Sequence, residues 1–473
     1  MRALLRVLFA GLIVISLTYT PAGAQNLPNL KALQTQGKIN QEAQGVWQNL
    51  AYGWTIVFGA DEIDLYHYSS AGCLPDEVSK EDLIELAKFY ARTGDTLYIS
   101  GSAAGSTLYQ FEQIDAVPAA CNQPAADSPT AVFDYFYKIM DTHYAFFDVY
   151  DVDWNARYQA NLPKISDTMS EEALFEVLRD MLKGLNDGHL VLRAEVDGER
   201  KTYTASKSRV LSPTLDAVFA NQTEFEEKGD FSTDWFFGSL RRFRSHVMNA
   251  RGQGKAASGN INWGKIGNIG YINVFGMGGF DDDDEGTLAE EVEAVHAAMD
   301  LAIAALQDTD GIIFDVSLNQ GGYDEVSLAL ASHFTNTDVF AYTKVGKDSP
   351  LEPQRLHVKP APNMRYLKPV TLLTSDLTVS AAEIFTMAMR ALPNVTHRGD
   401  TTWGALSDIL SKQLPNGWLL ELSNEIYIDS KGQAWEGKGI PPTERYTIFD
   451  QENIYQSHHN AVLQIAQKMR EGR

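Results

Sequence analysis

The chain has 473 residues, of which 44% are hydrophobic and 21% charged, with 62 acidic against 39 basic residues. This length predicts about three structural units, and the apolar fraction excludes a disordered or fibrous protein. The net charge of −23 argues against a nucleic-acid partner, because phosphate contacts need clustered lysine and arginine. Two cysteines are too few for a disulfide framework or a cysteine zinc site. Composition therefore indicates a soluble, acidic, multi-domain enzyme or binding protein.

The N-terminus has the pattern of a secretory signal peptide. Arg2 and Arg6 precede an apolar run over residues 7–19, and small residues follow it. We predict cleavage after Ala24, which makes residues 1–24 the signal peptide. The alternative is a membrane anchor, although the run is shorter than the ~20 residues that span a bilayer. We therefore expect a periplasmic or secreted protein with no integral membrane span after cleavage.

Export changes the interpretation of the two cysteines. Cys73 and Cys121 both lie early in the chain. In an oxidising compartment a single pair most simply forms one disulfide, closing a loop of about 48 residues. The alternative is two buried free thiols.

Residues 25–126 are predicted to form a β-rich N-terminal domain. Aromatic and β-branched residues, separated by turn residues, indicate strands at 45–47, 52–58 and 96–100. A helix is predicted over 81–92.

A helical segment is predicted over residues 127–195. Its last helix has apolar residues at helical spacing from Leu174 to Leu185. The helix stops at Asn-Asp-Gly (186–188), which leads into a turn bearing His189. Residues 196–262 are predicted to be an irregular connecting region.

Residues 263–446 are predicted to form the core, and 447–473 a C-terminal helix capped by Asp450. The core alternates strands with helices, which predicts an α/β sheet covered by helices. Its predicted strands are 269–274, 311–316 and 369–374.

The first of two unusual strand-to-helix junctions is Asn-Gln-Gly-Gly at 319–322. Glycines let the backbone approach a ligand, and the amides at the start of a helix point outward unpaired. Gly321 and Gly322 are therefore candidates for an oxyanion hole. The alternative is an ordinary flexible turn.

The second junction places Ser380 between a strand and a helix. A serine at a helix N-terminus presents its hydroxyl beside the Ala381 amide, where developing negative charge is stabilised. The alternative is a capping box, because Glu383 follows Ser380 at the Ser-x-x-Glu spacing.

Four segments occur in one order along the chain. They are GIIFDVSLNQGG (311–322), LLTSDLTVSAAEIF (372–385), GDTTWG (399–404) and EGKGIPP (436–442). Together they resemble the S41 serine peptidases, which include the C-terminal processing peptidases and the tricorn core. The resemblance implies a ClpP/crotonase-like α/β peptidase core, with Ser380 as nucleophile and the amides of Ala381, Gly322 and Gly321 at the oxyanion.

The resemblance also indicates which group activates the serine. Members similar to the processing peptidases use a lysine where this chain has Ala405. Members similar to tricorn and the interphotoreceptor retinoid-binding protein use a histidine, which His189 matches. An imidazole is suited to general-base work near neutral pH, and the resemblance assigns Glu436 to orient it. The alternative for His189 is a structural histidine at the start of a strand, with its hydrogen bonds made locally. The alternative for Glu436 is a solvent-exposed glutamate without a role in the site.

Three features depart from the family pattern. Gly188 stands where tricorn-like members have a serine, and Thr443 stands where the family has aspartate. The interval 196–262 is also too short for the PDZ module of the processing peptidases.

The sequence thus predicts an exported serine endopeptidase with a Ser380, His189 and Glu436 relay, acting on a protein or peptide substrate. No cofactor or metal is expected, since the acidic run 281–285 lacks the spacing of a calcium loop. No nucleic-acid partner is expected, and the oligomeric state is left open. The alternative is a catalytically inactive S41-like protein that binds a hydrophobic ligand or peptide.

Overall fold

The computed structural model describes residues 29–76, 79–103, 107–123, 125–242, 253–281 and 287–472. The predicted signal peptide and residues 282–285 of the acidic run lie outside these residues. Across the described residues, no helix combines the length and apolar character needed to cross a membrane.

The N-terminal region is β-rich, as predicted. Its described residues form ten strands: β1 Lys31–Ala32, β2 Gln34–Thr35, β3 Lys38–Ile39, β4 Gly45–Asn49, β5 Trp54–Phe58, β6 Ile63–Ser69, β7 Gly72–Pro75, β8 Phe89–Thr93, β9 Thr96–Ser100 and β10 Tyr109–Ile114. Eight form an antiparallel sheet in the order β1-β8-β9-β10-β4-β5-β6-β7 around buried Trp47, Ile56 and Phe111. The helix predicted over 81–92 is wrong in extent: α1 is Lys80–Leu86. Residues 89–92 of the predicted helix belong instead to strand β8, which pairs with β9 and places Tyr90 opposite Ile99.

Cys73 and Cys121 form a disulfide that links β7 to the segment following the sheet. In undenatured protein, we expect non-reducing peptide mapping to recover the two cysteines linked. The Cys73→Ala, Cys121→Ala double variant should lose about 4 kcal/mol of unfolding free energy, because the bridge closes a 48-residue separation. Urea unfolding measures the loss. Two alkylatable thiols in undenatured wild type would contradict the assignment.

Three helices follow: α2 Pro129–His143, α3 Trp154–Asn161 and α4 Glu171–Leu182. Apolar residues of α2 and α4, including Phe133, Phe136 and Leu178, are fully buried in one cluster. Leu192 belongs to the same cluster, so the packing of these helices fixes the turn that precedes strand β11 Val191–Val196.

The interval 196–262 is more regular than the sequence predicts. It contains β12 Glu199–Thr204, α5 Leu211–Phe219, α6 Lys228–Arg242, β13 Gly254–Ala256 and β14 Ile261–Ile266. Helix α6 is mostly polar, whereas α5 is short and mostly apolar; Leu211 of α5 and Phe231 and Trp235 of α6 are buried against the core. Among the described side chains, α5 buries the pair Leu211 and Leu215 and α6 the pair Phe231 and Trp235, and one pair at helical spacing is a weak helix signal in the sequence. We call residues 205–242 the helical insert.

The core confirms the predicted α/β fold. Its strands are β15 Ile269–Val274, β16 Gly311–Asp315, β17 Val339–Gly346, β18 Gln354–Val358, β19 Val370–Thr374, β20 Val395–Gly399, β21 Ile409–Gln413, β22 Leu419–Ser423, β23 Glu425–Asp429 and β24 Glu444–Arg445. Its helices are α7 Leu288–Leu306, α8 Asp324–Ser332, α9 Ala381–Arg390 and α10 Ser457–Arg470. The central sheet has the order β13-β14-β15-β16-β19-β20-β24 and is parallel from β15 to β24.

The C-terminal helix begins later than predicted. Its N-cap is Gln456, whereas Asp450 accepts a hydrogen bond from the Glu452 amide at 2.8 Å in the preceding loop. Asp450 therefore shapes that loop and does not cap the helix.

Candidate active site

The two predicted junctions adjoin because the strands that lead into them are neighbours. Strands β16 and β19 pair in parallel, with Asp315 opposite Leu373, so their carboxyl ends meet at one edge of the sheet. The Val379 amide donates to the Asn319 carbonyl at 3.2 Å. A Cβ built on Gly321 would lie 2.7 Å from the Ser380 Cβ. Only glycine therefore allows this approach of the two loops.

Ser380 has a strained backbone at the start of α9. Its φ of 60° and ψ of −131° are sparsely populated by residues other than glycine. The Ser380 side chain makes no capping hydrogen bond, so the predicted alternative of a capping serine is not what the structure has. Its amide donates to the Ala405 carbonyl at 2.9 Å. A strained serine on a strand-to-helix turn is typical of an exposed nucleophile.

Two amides beside Ser380 have no protein acceptor within the described part of the chain: those of Gly322 and Ala381. The Gly321 amide differs, because it donates to Asn319 Oδ1 at 2.9 Å. Gly321 is therefore not an available donor in this geometry, and its part is to allow close approach. Gly322 and Ala381 supply two unengaged donors next to the serine.

Glu383 is a buried carboxylate whose role the sequence did not reveal. It is 0% exposed, and Oε1 accepts from Thr402 Oγ1 at 2.5 Å and from the Gly404 amide at 2.8 Å. Its Oε2 accepts from the Ala405 amide at 2.8 Å. Burial raises the pKa of Glu383 to about 7, despite the lowering effect of these hydrogen bonds. Glu383 thus fixes the loop whose Ala405 carbonyl receives the Ser380 amide.

Replacing Glu383 by glutamine is expected to destabilise the protein by about 2–3 kcal/mol at pH 8, because one donor would face the amide group instead of a carboxylate oxygen. The folded pKa near 7 exceeds the ordinary 4.5, so the folded state binds more protons between these values. The contribution of Glu383 to stability therefore falls as pH rises through that window, and Glu383→Gln should remove this dependence. Urea unfolding at several pH values measures both effects. An unchanged pH slope would contradict the role.

The turn that carries His189 packs against the same loop. Asp187 is fully buried, and its Oδ1 accepts from the His189 amide at 2.8 Å and from Ser423 Oγ at 3.0 Å. A Cβ built on Gly188 would lie 2.9 Å from both the Ala405 Cβ and the Trp403 Nε1. This crowding explains why Gly188 stands at the position where tricorn-like members have a serine.

Glu436 is buried and is not the solvated side chain of the alternative. Its Oε2 accepts from the Leu406 amide at 2.8 Å and the Ser407 amide at 3.0 Å. Burial raises the pKa of Glu436 well above its usual range, and the charges of Asp187 and Glu383 raise it further. Burial also raises the pKa of Asp187. Sequence reasoning missed Asp187 as a site carboxylate, although its place two residues before His189 was a usable signal.

The structure brings the predicted relay residues to one region without joining them by hydrogen bonds. Among the described residues, His189 Nδ1, Asp187 Oδ2 and Glu436 Oε1 are buried atoms without a partner. In free enzymes, catalytic hydrogen bonds are often long and tighten only when substrate binds. A strained serine, two unengaged amides, a histidine and buried carboxylates are together the parts of an acyl-transfer site.

The fold and the residues gathered at this site resemble those of serine peptidases. Residues 268–446 match the model of peptidase family S41, and residues 126–183 match the tricorn protease C1 domain. Over these residues the chain is therefore similar to the S41 C-terminal processing peptidases.

Several known proteins are similar to this chain. The carboxy-terminal processing protease CtpA of Bacillus subtilis is 26% identical over 168 residues, covering 34% of this chain and 35% of CtpA. The chain thus spans about a third of the length of the curated relatives it matches. A putative peptidase from Parabacteroides merdae is 25% identical, with a TM-score of 0.53, covering 71% of this chain and 96% of that one. Mature CPAF shares the fold at 12% identity, with a TM-score of 0.53 over 71% of this chain and 95% of its own.

Proposed function

We propose that the protein is an exported serine endopeptidase. Ser380 Oγ attacks a peptide carbonyl and forms the acyl bond, while the His189 imidazole takes the hydroxyl proton. His189 then passes that proton to the leaving amine as the carbon–nitrogen bond breaks. Water hydrolyses the acyl-enzyme by the same path. The polypeptide substrate and the export step are part of this proposal.

The observation that carries the proposal is the backbone of Ser380. A non-glycine residue at φ 60° and ψ −131° costs about 1–3 kcal/mol. A serine that only capped the helix would need no such strain and would accept a hydrogen bond from the helix amides. Instead the strained turn leaves the hydroxyl uncommitted to capping beside the Ala381 amide.

The unengaged amides support stabilisation of the oxyanion. In the tetrahedral intermediate the carbonyl oxygen becomes an anion, which Gly322 and Ala381 can receive. One such donor contributes about 3–4 kcal/mol in hydrolases. Because both donors belong to the backbone of fixed junctions, they need no reorganisation during the reaction.

The relay depends on His189 and Glu436. Loss of the Ser380 proton to His189 creates a cation, which a nearby carboxylate stabilises. Glu436 Oε2 accepts hydrogen bonds from the Leu406 and Ser407 amides, whereas Oε1 has no donor among the described residues. That free oxygen is the one we assign to the imidazole.

The experiment is hydrolysis of an unfolded protein substrate by the purified mature chain at pH 8. Wild type should release internal fragments, and Ser380→Ala should release none. Ser166→Ala is the matched control, because Ser166 is an exposed loop serine. Absence of cleavage by wild type, together with saturable binding of a hydrophobic ligand or peptide, would favour the inactive binding protein instead.

A further inference from the structure

The helical insert is tied at its beginning to both halves of the candidate site. The ties come from Arg209, Val210 and Leu211, which precede or begin α5. No residue of this segment belongs to the proposed relay. The insert nevertheless contacts both parts of the site. Its first helical amides bind the buried Asp376 carboxylate of the nucleophile junction, and its Arg209 guanidinium binds the loops on the histidine side.

On the nucleophile side the contact is made by Asp376. This residue lies four positions before Ser380 and is 2% exposed. Its Oδ2 accepts from the Val210 amide at 2.6 Å and from the Leu211 amide at 3.0 Å. These amides open α5, so the carboxylate satisfies donors that the helix itself leaves unpaired. The start of the insert is thus fixed to the turn that carries the serine.

On the histidine side the contact is made by Arg209. Its Nη2 donates to the carbonyls of Thr402, at 3.3 Å, and Trp403, and its Nη1 donates to the Gly437 carbonyl at 3.4 Å. Trp403 is the residue whose indole packs on the turn before His189. Gly437 follows Glu436 directly, and its amide donates to the Gly404 carbonyl at 2.7 Å. One side chain therefore joins the loop before Ala405 to the loop bearing Glu436.

The chemistry of arginine suits this position. Three carbonyl oxygens from two loops converge, and their partial negative charges repel one another. A planar guanidinium offers several donors in a fixed fork and satisfies the three oxygens together, which the compact ammonium of lysine does not reproduce. Arg209 is exposed rather than part of the core, so its loss would leave the apolar packing of α5 and α6 intact.

We propose that Arg209 is a positioning residue that holds the loops of Ala405 and Glu436 in register with the nucleophile turn, and so couples the helical insert to turnover. The inference rests on the proposed peptidase function. Arg209 does not touch the reacting atoms. It acts through Trp403 and Gly437, whose placement sets the Ser380-to-His189 geometry.

The test measures kcat, KM and the rate of fluorophosphonate labelling for wild type, Arg209→Ala and Arg209→Lys in the full chain. We expect kcat and the labelling rate of Arg209→Ala to fall about 10- to 100-fold, the size of effect that a misplacement of about 1 Å produces. KM should stay within about twofold, because the loss falls on the chemical step. The lysine variant should be intermediate, and added guanidinium ion should partly restore the alanine variant. Arg200→Ala, an exposed arginine on β12, is the matched control.

Each outcome decides a separate point. If wild type is labelled and Arg209→Ala reacts at the rate of Arg200→Ala, the positioning role is overturned. A slow alanine variant with a lowered melting temperature and no response to guanidinium ion would also overturn it, because that result indicates only structural damage. If wild type itself is neither labelled nor active, the proposed function fails, and the inference fails with it.

Discussion

Replacing Ser380 by glycine is expected to abolish turnover while making the protein more stable. Removal of the attacking oxygen should lower kcat by at least about 10⁴-fold, since loss of the serine in a well-studied hydrolase triad costs about 10⁶-fold. Glycine adopts a φ of 60° without the steric cost that serine bears there. The unfolding free energy should therefore rise by about 1 kcal/mol.

Ser380→Ala is the matched variant for this experiment. It removes the same hydroxyl, but alanine keeps a Cβ and stays strained at φ 60°. Both variants should be inactive, and only the glycine variant should gain stability in urea unfolding. Equal stability of the two would show that the Ser380 backbone stores no strain. Retained activity in either would remove Ser380 from the mechanism.

Replacing His189 by alanine should lower kcat/KM by at least about 10²-fold, which is within the usual contribution of a general base. The imidazole lies in the turn that packs on Trp403 and Ala405, and its Nδ1 has no partner among the described residues. A histidine with only a structural role would form hydrogen bonds from its ring nitrogens to neighbouring groups. Steady-state kinetics on a peptide substrate measure the loss.

His357→Ala is the control for the histidine variant, because His357 contacts Asp338 on the protein surface. It should keep near-wild-type turnover. Near-normal activity of His189→Ala would exclude the imidazole as base. The buried carboxylates Asp187 and Glu436 can then be separated by Asp187→Asn and Glu436→Gln, of which we expect the second to slow turnover through loss of the relay carboxylate.

The sequence was sufficient for the parts of the site that depend on local pattern. An apolar strand followed by Asn-Gln-Gly-Gly, and another followed by a serine and a helix, predicted both junctions. The parallel pairing of β16 with β19 then brings them together. The α/β core followed from the same alternation, since strands and helices of ordinary length carry clear periodicities.

The parts that were missed depend on distant partners. Glu383 had the spacing of a capping box, yet its carboxylate binds the Thr402, Gly404 and Ala405 groups, which lie 19 to 22 residues later in the chain. The carbonyls bound by Arg209 lie 193 to 228 residues away. Contacts over such separations leave no periodic trace in the sequence.

A similar reason explains two of the errors in secondary structure. The predicted helix was extended through residues 89–93, which are paired as a strand between β1 and β9. Helix α5 is short and α6 is mostly polar, and both are stabilised by a few apolar residues that pack on the core. In both cases strand pairing or packing with distant parts of the chain decides the extent of the element.

The central claim is that Ser380 is an activated nucleophile, and covalent labelling tests it most directly. Purified mature protein is treated with a fluorophosphonate near pH 8, and the modified residue is located by peptide mass spectrometry. We predict a single adduct on Ser380 that is absent from Ser380→Ala and strongly slowed in His189→Ala. Absence of labelling in folded wild type, or an adduct on another residue that persists in Ser380→Ala, would contradict the claim.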